Sequence, residues 1–103
     1  MYKIIFFVPV NESEKVKNSM FDVGAGKIGN YDCCSFQTLG IGQFKALDGA
    51  NPFIGKVGKI EKVEELKIEM ICQEKYLKLA LKALKDNHPY EMPAYDIIKL
   101  IDL

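Results

Sequence analysis

The chain has 103 residues, 49% of them hydrophobic and 27% charged, which is enough for one domain with its own core over residues 1–103. Its 14 basic side chains balance 14 acidic ones, which argues against a surface that binds nucleic acid or an anionic membrane. No apolar run approaches the ~20 residues that span a bilayer. The three cysteines have no C-x-x-C spacing, so we expect reduced thiols and a cytoplasmic protein.

The first half of the chain begins with a predicted strand and helix. Residues 2–8 are rich in β-branched and aromatic side chains and stop at a proline, which is typical of a buried strand. Asn11 is expected to cap the helix that follows, whose buried side carries Val16 and Met20 at helical spacing. A glycine at 24 or 26 is expected to end that helix in the left-handed conformation.

The middle of the chain is predicted to be a β-ribbon followed by a loop. Residues 31–36 have strand composition, and a turn is expected at 40–42 before residues 43–46, which together predict a hairpin or an extended ribbon. Glycine, asparagine and proline then punctuate residues 48–58, which predicts a loop throughout.

The second half contains the clearest periodic signals. Apolar side chains alternate from Leu66 to Cys72, which predicts a half-buried strand. Residues 74–87 show a leucine-rich stripe at helical spacing, and the helix must stop before Pro89. Residues 95–103 are expected to form the last strand. The order predicts an α+β, ferredoxin-like βαβ-βαβ fold, with two helices on one face of an antiparallel sheet and an extra ribbon in the middle.

Two tempting motifs have plain structural explanations. Residues 24–29 match G-x-G-x-x-G but follow a helix and precede a strand, the reverse of a dinucleotide site, so no cofactor is expected. Glu64, Glu65 and Glu69 are interpreted as charges on an exposed sheet edge, where they discourage edge-to-edge pairing. No nucleophile lies in a recognisable constellation with a base, so we predict no catalytic residues and no enzyme activity.

Two segments are the candidate sites. The first is the loop that carries Asn51, Pro52, Phe53 and Gly55, where exposed apolar side chains suggest contact with a ligand or partner. The alternative is that Phe53 simply packs against the sheet.

The second candidate segment connects the last helix to the last strand. It carries His88, Tyr90 and Glu91, with the only histidine of the chain. One histidine and one carboxylate cannot complete a metal site within a chain, so a divalent metal requires ligands from a second subunit. The alternative is a rigid connector that the flanking prolines hold in place.

Four stretches in order carry a family resemblance over essentially the whole chain: residues 24–32, 34–36, 49–55 and 88–96. They resemble the PII/CutA-like domain of the Nif-three-like proteins of the YqfO type, here as a stand-alone chain, and the last stretch is also similar to CutA divalent-cation tolerance proteins. The resemblance implies a ferredoxin-like fold that oligomerises. The metal ligands of the longer relatives lie in segments that this chain lacks, so no hydrolase activity is implied.

Two functions follow as hypotheses. The first is a non-catalytic, homo-oligomeric binding or regulatory module that takes a small molecule or a protein partner. The second is a CutA-like divalent metal-binding protein whose ligands, His88, Glu91 and Cys33 or Cys34, meet across an interface. Apolar residues on both faces of the terminal strands predict self-association, with a trimer as the first choice and a dimer as the second.

Overall fold

A computed structural model describes residues 1–103 and contains one four-stranded sheet with two helices. The strands are β1 (Tyr2–Pro9), β2 (Phe36–Lys45), β3 (Ile60–Cys72) and β4 (Tyr95–Lys99), and the helices are α1 (Ser13–Asp22) and α2 (Glu74–Asn87). The strand order is β2-β3-β1-β4, and all neighbouring strands are antiparallel. The predicted α+β, ferredoxin-like fold is confirmed. Neither helix has the length and apolar character needed to cross a membrane.

The core lies between the helices and one face of the sheet. On β3 the residues with even numbers from 66 to 72 point to the helices, because successive side chains of a strand alternate between its faces. The predicted half-buried strand and the two helices on one face are confirmed by one buried cluster: Ile4, Phe6, Val8, Val16, Met20, Ala25, Leu66, Ile68, Met70, Cys72, Ala80 and Leu84. We call the other side of the sheet, away from the helices, the open face.

The start of α1 differs from the prediction. Asn11 does not cap the helix; it lies in a short 3-10 turn, Val10–Glu12, and α1 begins at Ser13, whose hydroxyl donates to the carbonyl of Val10. The end agrees with the prediction, since Gly24 and Gly26 follow α1 and have φ angles of 112° and 80°.

The second strand begins later than its composition suggests. Residues 31–35 are not a strand: two hydrogen bonds join Ile28 to Tyr31 in a tight turn, and the amide of Cys34 bonds to the carbonyl of Gly26. The predicted turn at 40–42 is also wrong, because these residues lie inside β2. Composition alone cannot separate the two cases, because a glycine can mark a turn or, within a strand, a place where another group approaches the backbone closely.

The predicted extra ribbon is in fact an extension of β2 and β3. Residues 41–45 of β2 pair with residues 60–64 of β3 beyond the end of β1, which pairs only as far as Glu65. We call this pair of segments, with the loop 46–59, the arm. It makes the molecule elongated, at 46 × 25 × 24 Å. At the other end of the chain, β4 stops at Lys99, four residues before its predicted end.

Candidate functional site

The main cavity of the protein lies on the open face where the arm joins the body of the sheet. Its volume is about 800 Å³. The floor comes from Phe7 of β1 and from Glu65 and Lys67 of β3, and one wall comes from β2 and the start of the loop. The other wall comes from the connector after α2, with Tyr90, Glu91, Met92 and Ala94. The cavity is therefore built from parts of the chain that are distant in sequence.

The structure brings the two predicted segments together at this cavity. The amide of Asn51 donates to Oε1 of Glu91 at 2.9 Å, which ties the loop to the connector. The rings of Phe53 and Tyr90 lie 6.5 Å apart and are tilted by 53°. Phe53 is 55% exposed and lines the cavity with Pro52, so it does not pack away against the sheet.

Gly55 plays a different part from the other loop residues. It has a φ of 85°, and the side chain of Glu61 lies where a β-carbon would be, so it shapes the loop and does not line the cavity.

Tyr90 is held at the cavity wall by the carboxylate of Glu65, a residue that the sequence analysis assigned to the surface. Its hydroxyl donates to Oε2 of Glu65 at 2.8 Å, and its ring lies 5.9 Å from that of Phe44. Burial, with the bond to Glu65, raises the pKa of the Tyr90 hydroxyl above its usual value. The phenol therefore stays protonated and donates at any ordinary pH.

The interpretation of Glu65 as a charge on an exposed sheet edge is wrong. β3 lies between β2 and β1, and Glu65 is only 9% exposed. Its carboxylate crosses over β2, with Oε1 where a β-carbon on Gly42 would lie. Gly42 could have indicated that a side chain crosses β2 at this point. Identifying that side chain as Glu65 requires the strand register, which places Glu65 opposite Gly40, two residues from Gly42.

His88 is buried beneath the connector with both ring nitrogens engaged. The amide of Tyr90 donates to Nδ1 at 3.1 Å, so Nε2 carries the proton and donates to the carbonyl of Phe7 at 2.6 Å. Burial lowers the pKa of the imidazole, although the bond to Phe7 opposes that shift. This arrangement makes His88 a structural anchor that positions Tyr90.

The stability of the protein should fall as the pH drops from 7.5 to 5.5. The unfolded His88 titrates near a pKa of about 6.5, whereas the folded residue has a lowered pKa, so the unfolded chain takes up the proton first. The stabilisation from neutral, buried His88 is complete at a pH above the pKa of the unfolded residue. It is lost as the pH falls from that value toward the lower pKa of the folded residue. Urea unfolding across this range should show the slope. His88→Gln should flatten it, because no other histidine is present; equal slopes would contradict the assignment.

The proposed metal ligands do not meet within the chain. Both nitrogens of His88 are already bonded, Glu91 holds the loop, and no group of three histidine, cysteine or acidic side chains has a geometry for a metal. Cys33 and Cys34 lie beside Gly26, whose amide bonds to Ile71 next to the start of β1. His88 bonds near the end of β1, so the cysteines and the histidine are at opposite ends of the sheet.

The sequence is similar to longer bacterial proteins. It is 47% identical over 100 residues to a protein of Halalkalibacterium halodurans named GTP cyclohydrolase 1 type 2 homolog, covering 97% of this chain and 27% of that one. A Bacillus subtilis protein of the same name is 44% identical over 95 residues. The chain thus spans about a quarter of the length of the curated relatives it matches. No protein-family model matches it.

The fold is similar to two kinds of solved structure. A Bacillus cereus protein related to NIF3 superposes with a TM-score of 0.83 and 39% identity, over 98% of this chain and 26% of that one. CutA1 from Pyrococcus horikoshii superposes with a TM-score of 0.71 over 100% of this chain and 86% of its own, at 19% identity, which shows the fold alone. The predicted resemblance is confirmed: over nearly its whole length the chain matches the PII/CutA-like part of the NIF3-related proteins.

Proposed function

We propose that this chain is a non-catalytic, self-associating module that binds a small ligand in the cavity between the arm and the connector. The observation that supports it most is the cavity itself, of about 800 Å³ and lined mainly by apolar and aromatic groups with a few polar ones. Both sequence-predicted segments contribute to its walls, and the bond from Asn51 to Glu91 holds them together.

The non-catalytic part of the proposal rests on the state of the polar groups. The only histidine, His88, is buried and bonded at both nitrogens, and the hydroxyl of Tyr90 keeps its proton and donates a hydrogen bond to Glu65. Because the chain corresponds to about a quarter of the length of these relatives, we do not propose a cyclohydrolase activity for it.

Ligand titration tests the binding proposal. We expect calorimetry with a panel of nucleotides and aromatic metabolites to find at least one ligand, and Phe53→Ala to weaken its affinity about five- to tenfold by removing an aromatic wall. Leu79→Ala is the control, since Leu79 is 52% exposed on α2, on the other side of the sheet, and does not line the cavity. Binding that Phe53→Ala leaves unchanged, or binding of Cu²⁺, Zn²⁺ or Ni²⁺ alone, would argue against the proposal.

Self-association is the second part of the proposal. The open face carries no helix and exposes large apolar side chains, among them Phe36 and Ile98, together with Ile28 of the adjoining loop. Apolar surface of this kind is typically covered by a partner. We expect light scattering coupled to size-exclusion chromatography to give the mass of a trimer, or else of a dimer, at micromolar concentration. The mass of one chain would contradict this part.

A further inference from the structure

The floor of the cavity holds a carboxylate whose hydrogen bonds are incomplete. Oε2 of Glu65 accepts the bond from Tyr90, but Oε1 has no partner within the chain. Glu65 is nine-tenths buried. Every fully buried side-chain oxygen of the protein has a hydrogen-bond partner. Because Oε1 has none, it must be in contact with the space of the cavity. Oε1 is therefore the atom through which Glu65 meets the contents of the cavity.

Glu65 also lacks a positive partner. The three ion pairs of the chain join Lys3 to Glu69, Lys17 to Glu14 and Lys82 to Asp86, and no lysine comes within 4.0 Å of Glu65. Lys67 lies on the same floor but is exposed. A buried charge is costly when it is unpaired, so this site favours any cation that can enter it.

The aromatic walls around Glu65 also favour a cation. Three rings, those of Phe44, Phe53 and Tyr90, line the cavity, and the first two lie 5.9 and 6.5 Å from the third. Phe7 adds a fourth ring on the floor. The face of an aromatic ring carries negative potential and attracts cations, most strongly where water is excluded.

We infer that the cavity selects an organic cation: a protonated amine that donates an N–H to Oε1 of Glu65 while its apolar part lies against the aromatic walls. This inference rests on the proposed function and adds the charge of the ligand to it. The same chemistry has two sources, a free amine or a lysine side chain from a second copy, since every basic residue of this chain is lysine.

Three probes of similar size and different charge test the inference: 2-phenylethylamine, 2-phenylethanol and 3-phenylpropionate. We expect calorimetry or chemical-shift titration to show the amine binding about tenfold or more tighter than the alcohol, and the carboxylate weakest. Equal affinities, or tighter binding of the alcohol or the carboxylate, overturn the inference and leave the proposed function standing. Failure of all three probes to bind overturns the inference, and failure of the wider ligand panel is what overturns the proposed function.

Glu65→Gln is the direct variant, because it keeps the shape and an acceptor for Tyr90 while removing the charge. It should abolish the tenfold preference by weakening the amine and leaving the alcohol unchanged. A second pair of variants guards against indirect effects: Gly42→Ala places a methyl group on Oε1, whereas Glu69→Gln removes a carboxylate from the same face of β3 outside the cavity. The first should lose the preference and the second should keep it. An unchanged preference in Glu65→Gln or Gly42→Ala would contradict the role of Glu65.

Light scattering on the same samples separates the two sources. If the natural occupant is a lysine of a second copy, Glu65→Gln should lower the mass of the assembly, and excess 2-phenylethylamine should dissociate it. If the occupant is a free amine, the mass should stay unchanged in both cases while the probe affinities still differ. Each result supports the cation site and identifies its source.

Discussion

Leu84→Ala should lower the free energy of unfolding by about 2–5 kcal/mol, the usual effect of emptying a fully packed leucine site. Leu84 is completely buried and packs in the cluster between α2 and the sheet. The lost contacts cannot be replaced by movement of α2 alone, because the helix is also held against α1 through that core. Urea or thermal unfolding of both proteins gives the difference.

Leu79→Ala is the matched control for this prediction. It makes the same substitution in the same helix at a residue that is 52% exposed. We expect a change within about 0.5 kcal/mol, since no cavity forms and alanine is the better helix former. If Leu84→Ala cost no more than Leu79→Ala, the buried face of α2 would be assigned wrongly.

Gly24→Ala should be comparably damaging, for a different reason. Gly24 follows α1 with a φ of 112°, and a β-carbon there would lie 2.7 Å from the ring of Tyr76. The backbone conformation costs about 1–2 kcal/mol for a residue with a side chain, and displacing a packed ring costs about 1–3 kcal/mol more. Together these predict a loss of about 2–5 kcal/mol, measurable by chemical denaturation.

Gly29→Ala separates the two contributions to that loss. Gly29 also has a positive φ, of 55°, but a β-carbon there would meet nothing within 4 Å. Its alanine variant should therefore lose only the backbone contribution, about 1 kcal/mol. Equal losses at the two positions would show that the ring of Tyr76 yields without cost.

The local patterns of the sequence were enough to predict the helices and the packing of the core. The alternation on β3 and the stripe on α2 gave the right buried faces, and α2 has the predicted ends because Pro89 stops it. These features depend on residues that are close together in sequence. Because each helix and the sheet have only one apolar face, those faces must pack against each other.

Patterns failed where a long-range contact decides the conformation. The predicted turn at residues 40–42 is strand, and the predicted strand at 31–35 is loop. The first error arose because Gly42 makes room for Glu65, a residue 23 positions away. The second arose because Gly26, whose amide donates to the distant carbonyl of Ile71, also accepts a hydrogen bond from the amide of Cys34.

For the candidate site, too, part could be predicted from the sequence and part only from the tertiary structure. The sequence by itself indicated the loop around Phe53 and the connector around Tyr90, because exposed apolar side chains and prolines stand out locally. That these two segments form one cavity, that Glu65 is its buried floor and that His88 is an anchor were decided only by the tertiary structure. The physical reason is register: which side chain meets which across antiparallel strands depends on pairings between distant residues, and composition does not encode them.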